Sequence, residues 1–467
     1  MTPFAPAVLP ADGVAFPLSV SVLIVGAGAA GLTAALATRE AGAEVLVLER
    51  DAAAQGSTAL SSGLVPAAGT RFQAARGISD TPELFARDIQ AKAKGLAEPR
   101  LVAALASSIG PTVEWLADRH DVPFDVAEGF LYPGHSVLRM HGTPRRTGSE
   151  LMACLGAAAA RAGVDVVTDA HVHALVVRGD RVVGVRIDRP DGSVDAVGCA
   201  ALVLACSGFG GNRELVRRHM PEMAGALFFG HAGNQGDAVA WGTALGAATR
   251  DMGAYQGHGS VATPHNVLIT WALMMEGGFQ VNAAGERFSN EHQGYSEQAR
   301  AVLAQPGGVA WNIYDERQHI LGLEFQDYRD AVAAGAVHSA SDIGALARAL
   351  GLPEGALAAT LQATRAIALG EAADGFGRDF STKPPLAAPF HGVKVTGALF
   401  HTQGGLLVDG NARVLRADGT ALPNLFAAGG AACGVSGPEC WGYLSGNGLL
   451  AAIGLGRMAG RTAATRL

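Results

Sequence analysis

The chain has 467 residues, 49% of them hydrophobic, with a formal net charge of −7 and a pI of about 6.1. That length exceeds what one hydrophobic core usually serves, so two domains are expected, and the acidic balance speaks against a nucleic-acid partner. Five cysteines without a CxxC pair, and a first stretch of 20 residues with no Lys or Arg, predict reduced thiols, no export signal and a cytoplasmic protein.

Taken in chain order, the apolar run from Ser19 to Val25 is too short to span a membrane. It predicts the first buried strand. Gly26, Gly28 and Gly31 follow in GAGAAG, then a helix is expected from Ala29 to Ala41 and a second strand from Glu44 to Leu48, ended by Glu49. Each glycine has a physical task. The first makes the tight turn, the second lets the backbone approach a pyrophosphate, and the third lets helix pack on strand. The helix N-terminus then faces phosphate charge, and Glu49 suits ribose hydroxyls. Strand, glycines, helix, strand and terminal acid together specify a dinucleotide site far better than the glycines alone.

Beyond Arg50, the segment 55–63 (QGSTALSSG) is small and polar, a backbone-lined bed for a flat ring. Residues 168–187 predict a β-hairpin turning at Gly179-Asp180. Ala201–Ala205 predicts a buried strand running into Ser207 and Gly208, and the Ala-rich stretch 334–368 predicts helix. Near the end, a strand leads into Gly429 and Gly430, and a terminal helix starts around Ser445–Leu450. A Gly-rich helix start can face a flavin, where reduction builds negative charge. The second glycine-rich signature favours FAD over NAD. The expected cofactor contacts are Gly26, Gly28, Ala29, Ala30, Gly31, Glu49, Arg50, Ser57, Thr58, Ser62, Gly63, Val172, Ser207, Gly208, Gly429, Gly430, Asn447, Leu449 and Leu450.

From Val22 to Arg457 these segments, in this order, resemble the flavoprotein family of fumarate reductase, succinate dehydrogenase and 3-ketosteroid dehydrogenases. The resemblance implies an α/β fold: a discontinuous Rossmann-type FAD-binding domain at about 1–251 and 404–467, and an inserted α+β capping, catalytic domain at about 252–403. It places flavin between the two and substrate between flavin and cap. Where succinate dehydrogenases attach FAD through a His, this chain has Ser57, which implies non-covalent FAD.

Fumarate reductases carry a proton-donating Arg shortly after an RFxNE motif; after Arg287-Phe288-Ser289-Asn290-Glu291 the matching residue here is Tyr295. Their carboxylate-clamping Arg precedes the terminal helix in an RLGGN-like motif, and here that motif reads Tyr443-Leu444-Ser445-Gly446-Asn447. The relay Arg of that family matches Met274. The chain has only 6 tyrosines, so two at these positions are informative. They resemble the 3-ketosteroid Δ1-dehydrogenase subgroup, in which one Tyr removes a proton beside a ketone, another binds the ketone oxygen, and a hydride passes to flavin N5. The resemblance assigns Tyr295 as base and Tyr443 as oxyanion donor, aided by a backbone N–H near Gly446, with Tyr132 in support of Tyr295.

Two histidines complicate that assignment. His401, in an HTxGG motif, and His258 match substrate-binding residues of the fumarate reductases, which hints at a small substrate bearing a carboxylate. Arg145 and Arg146 read as surface charge, and no role is assigned to His135, Glu291 or His292. No His/Cys/carboxylate group has metal spacing, and no Gly-x-Ser-x-Gly elbow is present. Three readings stay open: a ring-ketone desaturase acting on a 3-ketosteroid or smaller oxocyclohexane compound, a fumarate- or urocanate-type reductase, and a flavin-binding protein without turnover. Without a haem CxxCH, electrons leave to an outside acceptor: oxygen, a quinone or a soluble carrier.

Overall fold

A computed structural model describes residues 7–466. By contacts the chain forms two units. The first runs up to Met220 and adds Gly230–Tyr255 and the segment from His401 onward; the second comprises Pro221–Phe229 and Gln256–Phe400.

The first unit is built on a nine-stranded sheet. Its centre is the parallel series Ala421–Ala427, Val194–Leu204, Leu18–Val25, Val45–Leu48 and Asp165–Val167. Parallel strands are buried on both faces. Val22, Leu23, Ile24, Val47, Leu202, Val203 and Leu204 accordingly have no exposed surface. The hairpin expected around Gly179-Asp180 consists of His171–Arg178 and Arg181–Asp188. The run at Ser19–Val25 is not the first strand, because Ala7–Pro10 precedes it and pairs in parallel with His171–Arg178.

The helix Ala29–Glu40 packs against the terminal helix Asn447–Thr465 at unusually close range. A Cβ on Gly456 would lie 2.6 Å from the carbonyl oxygen of Ala30, and one on Gly460 would overlap that of Ala34. Small residues on both helices make this approach possible, so the last helix holds the first against the sheet.

The second unit has a seven-stranded sheet with the order Val267–Leu268, Tyr255–Ala262, Phe390–Thr402, Val309–Asp315, Phe279–Val281. The last three of these strands run antiparallel to one another in sequence. Leu227–Phe228 and Val337–Ala340 also pair with Phe390–Thr402. This corrects the expectation that 334–368 is helical from its start. The helices there are Ile343–Leu350 and Glu354–Ala368, and Val337–Ala340 is drawn into a strand by ladder partners about fifty residues away. A core of Phe279, Val281, Ile313, Leu346 and Leu357 lies under these helices.

Glu291 of the RFSNE motif is fully buried, and its carboxylate ties this unit together. It accepts from the Gln280 N–H at 3.1 Å, from Arg287 at 2.8 Å and from Arg378 at 3.0 Å. Burial pushes its carboxyl pKa up, but the Arg378 and Arg287 charges outweigh this and hold it below the usual range. Glu291 therefore has a structural place. Among the described residues no helix is long and apolar enough to cross a membrane.

Candidate functional site

The turn after Val25 opens a cleft in the first unit. Its walls include Gly26, Gly28, Ala29, Ala30, Glu49, Arg50, Ser57, Thr58, Val172, Ser207, Gly429 and Gly430. Gly26 takes φ +102°, and a Cβ there would sit 2.5 Å from the Ala205 carbonyl oxygen. Gly28 differs. A Cβ on it would meet only Thr58 Oγ1, at 3.7 Å, so the space above it is kept free of protein. Gly28 is also the N-cap of Ala29–Glu40, where no side chain caps the helix. The Ala29 N–H donates to Thr58 Oγ1 at 3.3 Å, and the helix N-terminus beside them borders open space, the arrangement that takes an anionic group.

Glu49 is buried at the edge of this space. Its Oε2 accepts from the Ala27 N–H at 2.8 Å and its Oε1 from the Asp51 N–H at 3.0 Å. These bonds hold the carboxylate still while leaving lone pairs for hydroxyl donors. On the facing wall, Trp241 Nε1 is a buried donor with no partner among the described residues. Such a group is costly unless a ligand supplies an acceptor.

Gly31, Ser62, Gly63, Gly208, Asn447, Leu449 and Leu450 do not line the cleft. Several of them are tightly packed. A Cβ on Gly31 would overlap the Gly26 carbonyl oxygen, one on Gly63 would lie 2.6 Å from that of Thr147, and one on Gly208 would strike Thr402. Asn447 donates to Ser436 Oγ at 3.0 Å.

In the same unit, Tyr443 is 6% exposed, and the His401 and Tyr443 rings meet edge to face at 5.6 Å. Gly446 adopts φ +88°, and a Cβ on it would lie 2.6 Å from Pro66. It is the N-cap of Asn447–Thr465, again without a side-chain cap. Burial pushes the His401 pKa down to about 4, so the ring is neutral near pH 7. Tyr132 is half-buried and packs on Phe130 at 4.3 Å; burial pushes its phenol up to about 12. His135 Nε2 lies 2.9 Å from the Ser445 carbonyl oxygen, an acceptor, so His135 holds the segment between Tyr443 and Gly446. Arg145 is 73% exposed, as surface charge should be.

The second unit gathers an aromatic cluster. Tyr295 occupies the first position of the helix Tyr295–Leu303. Its ring stacks on His258 at 4.9 Å and 21°, and Trp271 stands edge-on to both. Phe400 lies 5.6 Å from His258. His258 Nδ1 accepts from the Ser260 N–H at 3.2 Å, which places the ring proton on Nε2. Burial pushes its pKa down to about 3, so this ring too is uncharged.

The model of the FAD binding domain family matches residues 21–449. This chain belongs to that family. An NADH:fumarate oxidoreductase of Klebsiella pneumoniae strain 342 is 32% identical over 456 residues, covering 97% of this chain and 48% of the relative. The chain thus spans about half of that relative's length. A 4-oxocyclohexanecarboxylate 2-dehydrogenase of Sinomonas cyclohexanicum is 26% identical over 542 residues, covering 95% and 92%. The solved 3-ketosteroid-delta4-(5alpha)-dehydrogenase of Rhodococcus jostii RHA1 superposes with a TM-score of 0.78 at 26% identity, covering 98% and 99%.

The chain is therefore an FAD-dependent oxidoreductase, and its cleft fits the cofactor. The open space above Gly28, the held Glu49 carboxylate and the orphaned Trp241 donor are what a pyrophosphate, a ribose and a further polar edge require. The sequence reading of this flavoprotein missed much of one wall. Asp51, His171, His231, Gly233, Asn234, Asp237 and Trp241 also line the cleft. His231 Nε2 pairs with Asp51 Oδ2 at 2.9 Å, and Asn234 donates to Ser57 Oγ at 2.8 Å, so this loop is clipped over the bed. Nothing in the local pattern of 230–241 announces such a role, because the partners lie about 180 residues earlier.

Proposed function

We propose that this flavoprotein introduces a C=C bond α,β to a ring ketone, in a 3-ketosteroid or a smaller oxocyclohexane compound with or without a carboxylate. The carrying observation is that the Tyr295 ring stacks on His258, neutral by burial, and meets Trp271 edge-on. An uncharged aromatic surface suits an apolar ring. A proton donor to a dicarboxylate calls for a cation instead.

In this reading Tyr295 takes the α-proton and Tyr443 donates its hydroxyl to the ketone oxygen, where negative charge develops as the proton leaves. The Gly446 segment adds the positive end of an uncapped helix of 19 residues. Tyr132 is a poor base, because burial raises its phenol to about 12. Bound FAD, held without a covalent link over Gly26, Gly28, Glu49 and Ser57, supplies the acceptor for the hydride lost from the neighbouring carbon. Reoxidation falls to an external acceptor: oxygen, a quinone or a soluble carrier. The names of the Sinomonas and Rhodococcus relatives, both ketone dehydrogenases, support the same chemistry.

A second reading is a reductase of the fumarate or urocanate kind. His258 and His401 and the 32% identity to an NADH:fumarate oxidoreductase favour it. Anaerobic mixing with saturated 3-ketosteroids and oxocyclohexanecarboxylates separates the two. The expected result is flavin bleaching by at least one cyclic ketone and negligible fumarate reduction with a reduced dye. Rapid fumarate turnover without bleaching by any ketone would establish the second reading.

A further inference from the structure

A neutral imidazole carries its proton on one nitrogen only, and for His401 the surrounding contacts disagree about which. Nδ1 lies 3.0 Å from Gln403 Nε2, an amide donor, and 3.3 Å from the Thr402 carbonyl oxygen, an acceptor. The first contact calls for a bare Nδ1 and the second for a protonated one.

The groups behind Gln403 form a chain that favours the first. Gln403 Oε1 accepts from Ser436 Oγ at 2.7 Å, and Ser436 Oγ in turn accepts from Asn447 Nδ2 at 3.0 Å. A serine hydroxyl has a single proton. With the Asn447 amide donating to Ser436 and the Ser436 proton on Gln403 Oε1, the Gln403 NH₂ faces His401. Asn447, Ser436 and Gln403 are each 5% exposed or less, so bulk water has little access to reorder the chain. The Gln403 contact is also the shorter of the two at Nδ1. The other edge of the His401 ring is left open by a missing side chain, since a Cβ on Gly448 would come within 2.7 Å of Nε2.

We propose that Asn447, Ser436 and Gln403 form a directed hydrogen-bond relay that holds His401 as its Nε2–H tautomer. His401 then offers substrate a single neutral donor, matched to a carbonyl or carboxylate oxygen, and gives no acceptor to an N–H group. Gln403 is the positioning residue of this relay. It touches His401, whereas His401 meets the substrate. The substrate half of the proposal rests on the functional reading above; the tautomer half stands independently of it.

The test is nitrogen NMR of ¹⁵N-histidine-labelled holoenzyme at pH 7, with the His401 signals identified by their loss in His401→Gln. The expected pattern is a protonated Nε2 and a bare Nδ1. Gln403→Glu replaces the donor by an acceptor, so the proton should move to Nδ1 or the ring should become charged. The KM for a ketone that bleaches the flavin should rise about tenfold, the worth of one hydrogen bond, with kcat changed less. Ser436→Ala breaks the chain without adding charge and should mix the two tautomers. This variant keeps the idea testable if Gln403→Glu folds poorly. A wild-type His401 with its proton on Nδ1, or a Ser436→Ala enzyme with an unaltered nitrogen pattern, would overturn the relay. The expected tautomer shift in Gln403→Glu with an unchanged KM would overturn the substrate half alone.

Discussion

The nucleotide cleft of the first unit and the aromatic cluster of the second are made of different materials. The phosphate end of the cleft is backbone: a turn at Gly26, a helix start at Gly28 beside open space and close carbonyl contacts that leave no room for a Cβ at Gly26 or Gly31. The cluster is side chains throughout. His258 comes from the strand Tyr255–Ala262, Trp271 from the cap of the helix Ala272–Met275, Tyr295 from the start of another helix and Phe400 from the long strand Phe390–Thr402. Added volume should therefore destroy the cleft, while the cluster should survive isosteric changes and lose only chemistry.

The largest expected effect lies in the cleft. Gly31→Ala drives a methyl group into the Gly26 carbonyl and should yield no folded flavoprotein, as judged by soluble yield and circular dichroism. Gly28→Val sharpens the contrast three residues away. The protein leaves space there, so this variant should fold with a normal unfolding temperature yet be isolated colourless. A yellow Gly28→Val protein would break the assignment of that space to the pyrophosphate.

The cluster should behave in the opposite way. Tyr295→Phe keeps the ring packing, so the protein should stay yellow and folded while flavin reduction by a ketone slows by roughly two to four orders of magnitude. Stopped-flow bleaching at the wild-type rate would remove Tyr295 from the mechanism. Tyr443→Phe should cost about 3–4 kcal/mol of enolate stabilisation, read as a lower rate with retained FAD. Acid precipitation of the wild-type protein should release all flavin into the supernatant.

An effect common to both regions is on stability. His135 and His141 in the first unit and His258 in the second are held neutral by burial, with pKa values of about 4, 4 and 3. In the unfolded chain each titrates at about 6.5. The folded state thus binds fewer protons, so the stability these rings contribute is complete above about pH 6.5 and is lost as pH falls toward 4. The slope approaches about 1.4 kcal/mol per pH unit for each ring. Urea unfolding at pH 7 and pH 5 should show a lower midpoint at pH 5, and equal midpoints would mean that these rings take up protons in the folded protein.

Legibility followed the same division of materials. Gly26, Gly28, Gly31 and Glu49 could be read in the sequence because each answers a steric or hydrogen-bonding demand within a few residues of itself. The hairpin at Gly179-Asp180 could be read for the same reason. Close packing at Gly31, Gly63 and Gly208 could not be told from cofactor contact in the sequence, since both uses demand a missing side chain. The strand at Val337–Ala340 looked helical because its composition is Ala-rich and its only reason to extend is a partner near His391. His231, Asn234 and Trp241 carried no local signal at all.

The sequence by itself determined the nucleotide turn and the family, because local backbone sterics and motif spacing are written in single residues. Only the tertiary structure decided which glycines face open space, that His258 stacks on Tyr295, and that Asn447, Ser436 and Gln403 align behind His401. Those facts depend on side chains brought together across tens to hundreds of residues, and their orientation is set by the packing and burial of the sheets that carry them.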